Sequence, residues 1–383
     1  STARSTDMKT MQRLTPAFLL LSAFVFTACT TTAHSSEACP ETGNTDVALS
    51  RTPALSLTYH GDDFPGTPPS GSMQAEDTPP RSLYFSFYHA PPPSDAAISA
   101  RVYQGFARSD DRGEQWHNLG WLTSAVIGFD IDEENDRIVL ATDYGVLGSK
   151  NDGESWKLLS DWRMPPVLAV RLQDDGIWTA TAAGIFLSTD QGKNWEERGK
   201  ELPAPDGNYV ADLLFTSDAL LAATADGIFR STDEGKSWRR SGLRGEAVFR
   251  LVAHPSDDTH IIAIMENDGI RISEDGGRLW ENRSETLPSK LVKTAAFDPS
   301  DVRYLLVGTQ NSGVLRSTNG GQHWELSSGG MTNFHVTAIQ FDPDMPDRVY
   351  AGVENGSFVS DNRGKTWRAF SIRLGYVSAI AIQ

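Results

Sequence analysis

The chain has 383 residues, 39% of them hydrophobic, so it is long enough to bury a large core. Its 33 glycines and 20 prolines favour many turns over long helices, which predicts an all-β domain. The formal net charge of −16 argues against nucleic acid as a partner, because phosphate backbones bind basic surfaces.

Residues 1–28 are arranged like an export signal. Residues 1–7 precede a methionine and are interpreted as a tag or a misplaced start. Residues 8–13 form a basic segment, and an apolar run over residues 18–26 follows it. That run is too short to span a bilayer stably, so we predict a signal peptide that directs export.

The apolar run ends in Phe26-Thr27-Ala28-Cys29. This stretch resembles a bacterial lipobox, in which a small residue precedes a cysteine that is lipidated and becomes the new N-terminus. The alternative is an ordinary signal peptide cut nearby, because phenylalanine stands where leucine is usual. The resemblance implies a lipoprotein of the bacterial cell envelope. Thr30, in place of aspartate, implies sorting to the outer membrane, facing the periplasm or the exterior.

Residues 29–80 are rich in Thr, Ser, Pro and Gly, as in residues 64–71. Such a composition buries too little apolar surface to order itself, which predicts a flexible tether ahead of the folded domain. The alternative is that residues 55–59 add a short strand to the edge of that domain. Cys39 is the only other cysteine, so lipidation of Cys29 leaves no intramolecular disulfide.

From residue 81 onward the chain repeats one eight-residue motif, S-x-D-x-G-x-x-W, seven times; each copy is called a box below. Successive boxes start 40, 39, 43, 42, 44 and 43 residues apart, and such a period indicates a repeat architecture. The third position is Asp or Asn. The motif residues are Ser109, Asp111, Gly113 and Trp116; Ser149, Asn151, Gly153 and Trp156; Ser188, Asp190, Gly192 and Trp195; Ser231, Asp233, Gly235 and Trp238; Ser273, Asp275, Gly277 and Trp280; Ser317, Asn319, Gly321 and Trp324; and Ser360, Asn362, Gly364 and Trp367.

These residue types suit a tight turn between two strands. Short Ser, Asp and Asn side chains accept the amide hydrogen bonds of the turn, and glycine supplies a positive φ. The tryptophan starts the returning strand and lays its ring across the hairpin, with a burial worth about 2–3 kcal/mol. Because three boxes carry Asn, which cannot act as a base or nucleophile, we predict that the boxes are structural.

The boxes resemble the Asp-box, or bacterial neuraminidase repeat. That repeat occurs in sialidases, two-propeller xyloglucanases, sortilin-type receptors and photosystem II assembly factor propellers. The resemblance covers residues 81–383 and implies a β-propeller. It does not select a function, because these proteins include enzymes, receptors and assembly factors.

Each repeat contains four short strands, as residues 291–326 illustrate, and four strands per period are typical of a propeller blade. The first repeat lacks an innermost strand, and residues 377–382 form a strand that has no repeat of its own. We therefore predict an all-β fold, a single seven-bladed β-propeller of four-stranded antiparallel blades over residues 81–383. The C-terminal strand closes the ring by pairing into blade 1, which removes an open edge.

Motifs for enzymatic and metal chemistry are missing from the sequence. It contains no H-E-x-x-H, paired C-x-x-C, G-x-S-x-G or phosphate loop, so we predict neither metal nor cofactor and assign no catalytic residue. The acidic residues 130–136 lack the pattern of an EF-hand and are interpreted as a solvated turn. Sialidases carry an R-I-P motif ahead of the first box, whereas the nearest string here, Arg163-Met164-Pro165, follows the second. A sialidase-like or glucanase-like glycoside hydrolase is the alternative to a binding module.

The loops opposite the boxes, at the top of the propeller, combine aromatic and basic residues. Such residues on a rigid scaffold suit recognition of a protein or a glycan, although individually they also serve to cap the core. Besides the first-blade insert at residues 90–94, they are Trp121, Trp162, Arg163, Asn208, Tyr209, Arg244, Lys290, Phe334, His335, Arg373 and Tyr376.

Three charged residues fall within the predicted innermost strands of blades 3, 4 and 5: Arg171, Asp212 and Arg250. To find them, we align the strands on Phe129, Leu172 and their counterparts in the other blades. One interpretation is an ion-pair cluster that braces the channel wall, because buried charges need partners. The other leaves an arginine free to bind an anionic group that enters from the top.

The sequence as a whole predicts a monomeric, exported, lipid-anchored propeller that acts as a binding or assembly module. Its ligand is a protein or a glycan at the top face, and Cys29 attaches it to the membrane. Glycoside hydrolysis is the alternative activity.

Overall fold

The computed structural model describes residues 81–88, 105–119, 125–161, 163–174, 176–203, 207–372 and 375–383. The predictions made for the signal peptide, Cys29 and the tether lie outside the described residues, as does Trp162. Within the described part, no helix has the length and apolar character needed to cross a membrane.

The described residues form seven four-stranded antiparallel sheets, which are the blades of a β-propeller, and this confirms the predicted fold. The strands are β1 (Leu83–Tyr88), β2 (Gly105–Ser109), β3 (His117–Asn118), β4 (Val126–Asp132), β5 (Arg137–Thr142), β6 (Gly145–Ser149), β7 (Lys157–Leu158), β8 (Val167–Gln173), β9 (Gly176–Thr181), β10 (Gly184–Ser188), β11 (Glu196–Glu197), β12 (Val210–Phe215), β13 (Leu220–Thr224), β14 (Gly227–Ser231), β15 (Arg239–Gly242), β16 (Val248–His254), β17 (Asp257–Met265), β18 (Ile270–Ser273), β19 (Glu281–Asn282), β20 (Val292–Asp298), β21 (Asp301–Thr309), β22 (Val314–Ser317), β23 (Glu325–Leu326), β24 (Val336–Phe341), β25 (Val349–Val353), β26 (Gly356–Ser360), β27 (Arg368–Ala369) and β28 (Tyr376–Ile382). A short 3-10 helix, Glu133–Asn135, joins β4 to β5.

Blades 2 to 7 each use four consecutive strands, from β4–β7 to β24–β27. We name the strands of a blade a to d from the central channel outward. Blade 1 is composite, with β28 as strand a and β1, β2 and β3 as strands b, c and d. Leu83 pairs with Ile382, and the backbones of Ser82 and Gln383 exchange two hydrogen bonds of 2.9 and 3.0 Å. The chain ends therefore close the ring as predicted.

The hydrophobic core is divided among the seams between blades. In the part of the chain that the structure describes, buried side chains group into seven clusters, each of which joins two neighbouring blades. At the seam of blades 6 and 7, for example, Leu306 and Val314 pack with Ile339 and Phe358. Each blade therefore buries both faces of its sheet, which is why its b strands are apolar nearly throughout.

The seven boxes adopt one geometry at the c–d turns. In each box the serine hydroxyl donates to the Asp or Asn side chain at 2.7–3.0 Å and accepts the glycine amide at 2.7–2.9 Å. The Asp or Asn oxygen then accepts the amide just before the tryptophan at 2.8–3.0 Å. Asp and Asn make the same bonds through Oδ1, so the turn needs an acceptor and not a charge.

The tryptophan of each box extends beyond its own hairpin, which the sequence did not predict. The indole N–H of Trp238 donates to Arg198 O of the preceding blade at 2.6 Å, and Trp324 donates likewise to Arg283 O at 3.0 Å. The box glycine also meets the preceding blade: a Cβ at Gly192, where φ is +83°, would lie 2.5 Å from Leu159 O. The boxes therefore join blades as well as turning the chain.

The innermost strands share a further irregularity. Near the start of every a strand the pairing register shifts by one residue, which leaves one unpaired residue and marks a β-bulge. These unpaired residues are Ile127, Leu168, Ala211, Phe249, Lys293, Thr337 and Ser378.

The predicted alignment of the innermost strands is wrong in blade 2. In each blade the box serine pairs with a residue of strand b, which in turn pairs with a residue of strand a. In blade 3 this a-strand residue is Leu172, and in blade 2 it is Ile131, not Phe129. The shift of two residues keeps the same face buried, so the apolar pattern did not reveal it. It places Asp130 at the position that Arg171 occupies in the next blade.

Candidate functional site

Each a strand has a neighbour on one side only, so its other backbone edge faces the channel. Such an edge needs hydrogen-bond partners, and side chains of adjacent blades supply several. Asp130 accepts the Leu172 amide at 2.8 Å, and the hydroxyl of Ser378 donates to Val126 O at 2.6 Å. Polar residues of the inner strands therefore tie one blade to the next.

Arg171 and Asp212 form an ion pair across the seam of blades 3 and 4. The Nη2 of Arg171 donates to Oδ1 of Asp212 at 2.5 Å, and its Nε donates to Leu213 O at 3.1 Å. Asp212 is 3% exposed and also accepts the amides of Leu213 and Leu251 at 2.9 and 3.1 Å. These contacts favour the bracing interpretation for Arg171 and Asp212.

Arg250 differs from Arg171. Its guanidinium makes no hydrogen bond or ion pair with any other residue that the structure describes, and lies 5.6 Å from the centre of the Phe249 ring. Burial lowers the pKa of Arg250, while the nearby Asp212 carboxylate opposes that shift and Arg171 adds to it. Arg250 is therefore a partly exposed cation that has no hydrogen-bonded or ion-paired partner among the described residues.

Asp130 is a channel residue that the sequence reasoning missed. Burial raises the pKa of its carboxyl group, against the effects of Arg171 and of the backbone amides that it accepts. Following the strand pairing from the box serine, at the end of strand c, across strand b to strand a would have placed Asp130 correctly. With it, the charges of Asp130, Arg171, Asp212 and Arg250 alternate in sign across blades 2 to 5. Asp212 and Arg250 lie two residues nearer the start of their strands than Asp130 and Arg171 do.

The bulge residues of blades 5 and 6 are Phe249 and Lys293. β-bulges re-aim side chains at sheet edges and next to binding sites. Phe249 is 43% exposed, an unusual state for an aromatic residue of an inner strand. Lys293 on the next blade is partly buried, and this burial lowers its pKa while Glu266 raises it.

Aromatic residues continue this rim across blades 7 and 1. Tyr376, at the start of β28, makes edge-to-face contacts with Tyr88 and His335, with ring centres 5.9 and 5.8 Å apart. His335 Nδ1 lies 3.4 Å from a Glu354 carboxylate oxygen, and its Nε2 is buried without a partner among the described residues. Burial, with Glu354 nearby, raises the pKa of Tyr376, whereas Arg250 lowers it.

Tyr376 and Arg250 belong to blades 1 and 5, which are not neighbours in the ring. Both lie near the start of an inner strand, at the end of the channel opposite the boxes. We define the channel mouth as Tyr88, Phe249, Arg250, His335 and Tyr376.

The other predicted top-face residues are more scattered. Phe334 is 46% exposed. Its ring lies beside Gly313, a residue of the b–c turn of blade 6. Burial, with Glu266 nearby, raises the pKa of Tyr209 to about 12. Arg163 is highly exposed and paired with Asp161 of its own loop at 2.7 Å.

Two clefts lie at the bottom periphery, away from this face. One, of about 460 Å³, is lined by residues that include Asp130, Asp132 and Arg137. The other, of about 320 Å³, includes Arg283. Arg137 already binds Asp132 at 2.6 Å and Asp174 O at 2.5 Å, so the arginine of the larger cleft is already paired. Among the described residues, no group of three or more His, Cys, Asp or Glu is placed to hold a metal ion.

Comparison with known proteins identifies related folds. The sequence matches no protein-family model and no curated protein. Among solved structures, it resembles a GH74 enzyme of Niastella koreensis, with 18% identity over 71% of this chain and 51% of that one, and a TM-score of 0.57. The GH74 xyloglucanase of Xanthomonas campestris gives 17% identity over 71% and 52%, also with a TM-score of 0.57. YCF48 bound to D1 peptide gives 18% identity over 64% of this chain and 82% of that chain, with a TM-score of 0.50.

These identities show a shared fold and no more. The chain spans about half the length of the two GH74 proteins.

Proposed function

We propose that the protein is a monomeric binding or assembly module that receives a segment of a partner protein at the channel mouth. The observation that carries this proposal is the guanidinium of Arg250, which has no ion-pair partner among the described residues and lies beside the exposed ring of Phe249. Aromatic and arginine side chains are the residue types that contribute most to protein interfaces. The resemblance to YCF48 bound to D1 peptide supports a protein ligand.

We further propose that the chain belongs to the Asp-box class of propellers, is exported, and is anchored through lipid on Cys29 to the bacterial envelope. The repeated box geometry supports the first point, and the sequence around Cys29 supports the others. If this is correct, Cys29→Ala will lose both incorporation of labelled palmitate and partition into detergent micelles. Unchanged labelling of the variant would contradict the anchor.

Binding is tested with the mature chain carrying Cys29→Ala, cross-linked to its native envelope so that a captured partner can be identified and purified. Phe334→Ala removes an exposed apolar side chain from the top face, whereas Leu279→Ala removes one, 73% exposed, from a box at the bottom. We expect Phe334→Ala to weaken binding of the purified partner about tenfold, which equals about 1.4 kcal/mol, and Leu279→Ala to leave it unchanged. Equal losses in the two variants would contradict a top-face site.

Glycoside hydrolysis is the alternative function. Both channel carboxylates are engaged in structural contacts, since Asp130 accepts two backbone amides and Asp212 accepts two amides and an arginine. A pair free for acid–base work would be expected of a glycosidase. Turnover of xyloglucan or a sialoside that Asp212→Asn abolishes, with the fold intact, would replace the binding proposal.

A further inference from the structure

We propose that the channel binds the carboxylate of a peptide ligand at the guanidinium of Arg250. This inference rests on the proposed binding function and specifies the chemistry of its ligand. It assigns Arg250 as the anchor and the aromatic rim as the surface that receives the residues next to the carboxylate.

The first step is the distribution of charge along the channel wall. Arg171 lies between Asp130 and Asp212 and is paired with the latter at 2.5 Å. Asp212 makes its remaining hydrogen bonds to the amides of Leu213 and Leu251, so it has little capacity left for a second guanidinium. Arg250 is the cation of these four residues that has no ion-pair partner among the described residues.

The second step concerns space. A Cβ built on Gly128, which occupies the equivalent position in blade 2, would meet no atom within 4 Å. The equivalent residues of blades 6, 7 and 1 are Thr294, Ala338 and Ala379, which are all small. These wall positions at the level of Arg250 are therefore small, and they leave room near the axis for a small group.

The third step distinguishes a carboxylate from a phosphate. A guanidinium binds either anion through two parallel hydrogen bonds, but one cation balances one negative charge. Lys293, the bulge residue of the next blade, already interacts with Glu266. Within a protein of net charge −16, this site favours a monoanion over a dianion.

The test uses three probes: N-acetyl-Ala-Ala-Phe with a free carboxylate, the same peptide as its C-terminal amide, and inorganic phosphate. Binding to the mature chain with Cys29→Ala is followed by the Nε–H resonances of arginine, with that of Arg250 identified by its loss in Arg250→Met. We expect the acid to shift this resonance and to bind at least tenfold more tightly than the amide. Phosphate should bind more weakly than the acid at neutral pH.

Three variants complete the experiment. Arg250→Met and, as a second replacement, Arg250→Gln should abolish the preference for the acid without lowering the melting temperature. Gly128→Leu should weaken binding of the acid by filling the channel. Arg303→Met, at an exposed arginine paired with Asp301 beside the a–b turn of blade 6, is the matched control and should leave binding unchanged.

Equal binding of acid and amide, tighter binding of phosphate, or full binding by both Arg250 variants would overturn the carboxylate site. If Phe334→Ala loses the native partner while Arg250→Met retains it, the proposed function stands and this inference fails.

Discussion

At the scale of single residues, the polar side chains of the inner strands separate into two groups. Asp130, Arg171, Asp212 and Ser378 bind backbone or charged groups of a neighbouring blade, so their presence in the core follows from the open edge of each inner strand. Arg250 serves no such purpose in the described structure. This difference can be measured as stability.

Replacing Arg171 by Met should destabilise the protein by about 3 kcal/mol, because it leaves the buried Asp212 without its cation. Arg250→Met removes a desolvated cation without an ion-pair partner and should leave the free energy of unfolding unchanged or raise it. Denaturant unfolding of the two variants beside the wild type gives the comparison. Similar losses in both would mean that Arg250 also braces the channel wall.

Asp233→Asn is expected to lower the stability slightly at neutral pH and not at all near pH 2. The hydrogen bonds of Ser237, followed by that of Ser231, lower the pKa of Asp233 to about 2 from its ordinary value of 3.8. The carboxylate therefore contributes stability above pH 4 that is lost as the pH falls toward 2. Asn keeps the Oδ1 bonds, as Asn151 shows, but does not titrate.

The measurement for this prediction is the melting temperature of wild type and variant between pH 7 and pH 2. The gap between them should be small at pH 7 and should close as the pH falls. Asn151→Asp is the reciprocal control and should add acid sensitivity. A gap that widens toward low pH would contradict the assignment.

At the scale of elements, the box is a joint between blades. In six of the seven boxes the indole N–H donates a hydrogen bond to the preceding blade. In five of these the acceptor is a backbone carbonyl of the preceding blade, three residues after the box tryptophan of that blade. Trp280 is the exception, with a buried Nε1 that lacks a partner. Its expected acceptor is Ser241 O, in β15, where a register shift disturbs the strand.

This exception gives a matched pair of substitutions. Trp238→Phe and Trp280→Phe remove similar ring area, but only the first removes a hydrogen bond between blades. We expect Trp238→Phe to be the more destabilising by about 1–2 kcal/mol, since Trp280→Phe also removes an unsatisfied donor. Equal free energies of unfolding would mean that the indole bond adds nothing to ring packing.

At the scale of the whole molecule, closure of the ring depends on the C-terminal strand. β28 provides the innermost strand of blade 1 and buries Val377 against blade 7. Without it, β1 becomes an open edge that carries Phe85 and Phe87, both fully buried in the closed ring.

A chain that ends at Gly375 should therefore melt about 10 °C or more below the intact protein and should aggregate, because several kcal/mol of burial are lost and an apolar edge is exposed. Scanning calorimetry and size-exclusion chromatography provide the measurements. A synthetic peptide of residues 376–383, added in trans, should restore part of the stability. An unchanged melting temperature after truncation would contradict closure through β28.

The sequence by itself determined the fold, because each box combines turn residues with a fixed period, and both are local features that the chain cannot satisfy in many ways. It also located the closing strand and the charges of blades 3 to 5. It did not determine the register of blade 2, since a shift of two residues preserves the apolar pattern, and so Asp130 was missed. The indole bonds between blades and the pairing that leaves Arg250 alone depend on contacts between residues about 40 positions apart. Only the packing of one blade against the next decides such contacts, because they arise where side chains of different repeats compete for the same partner.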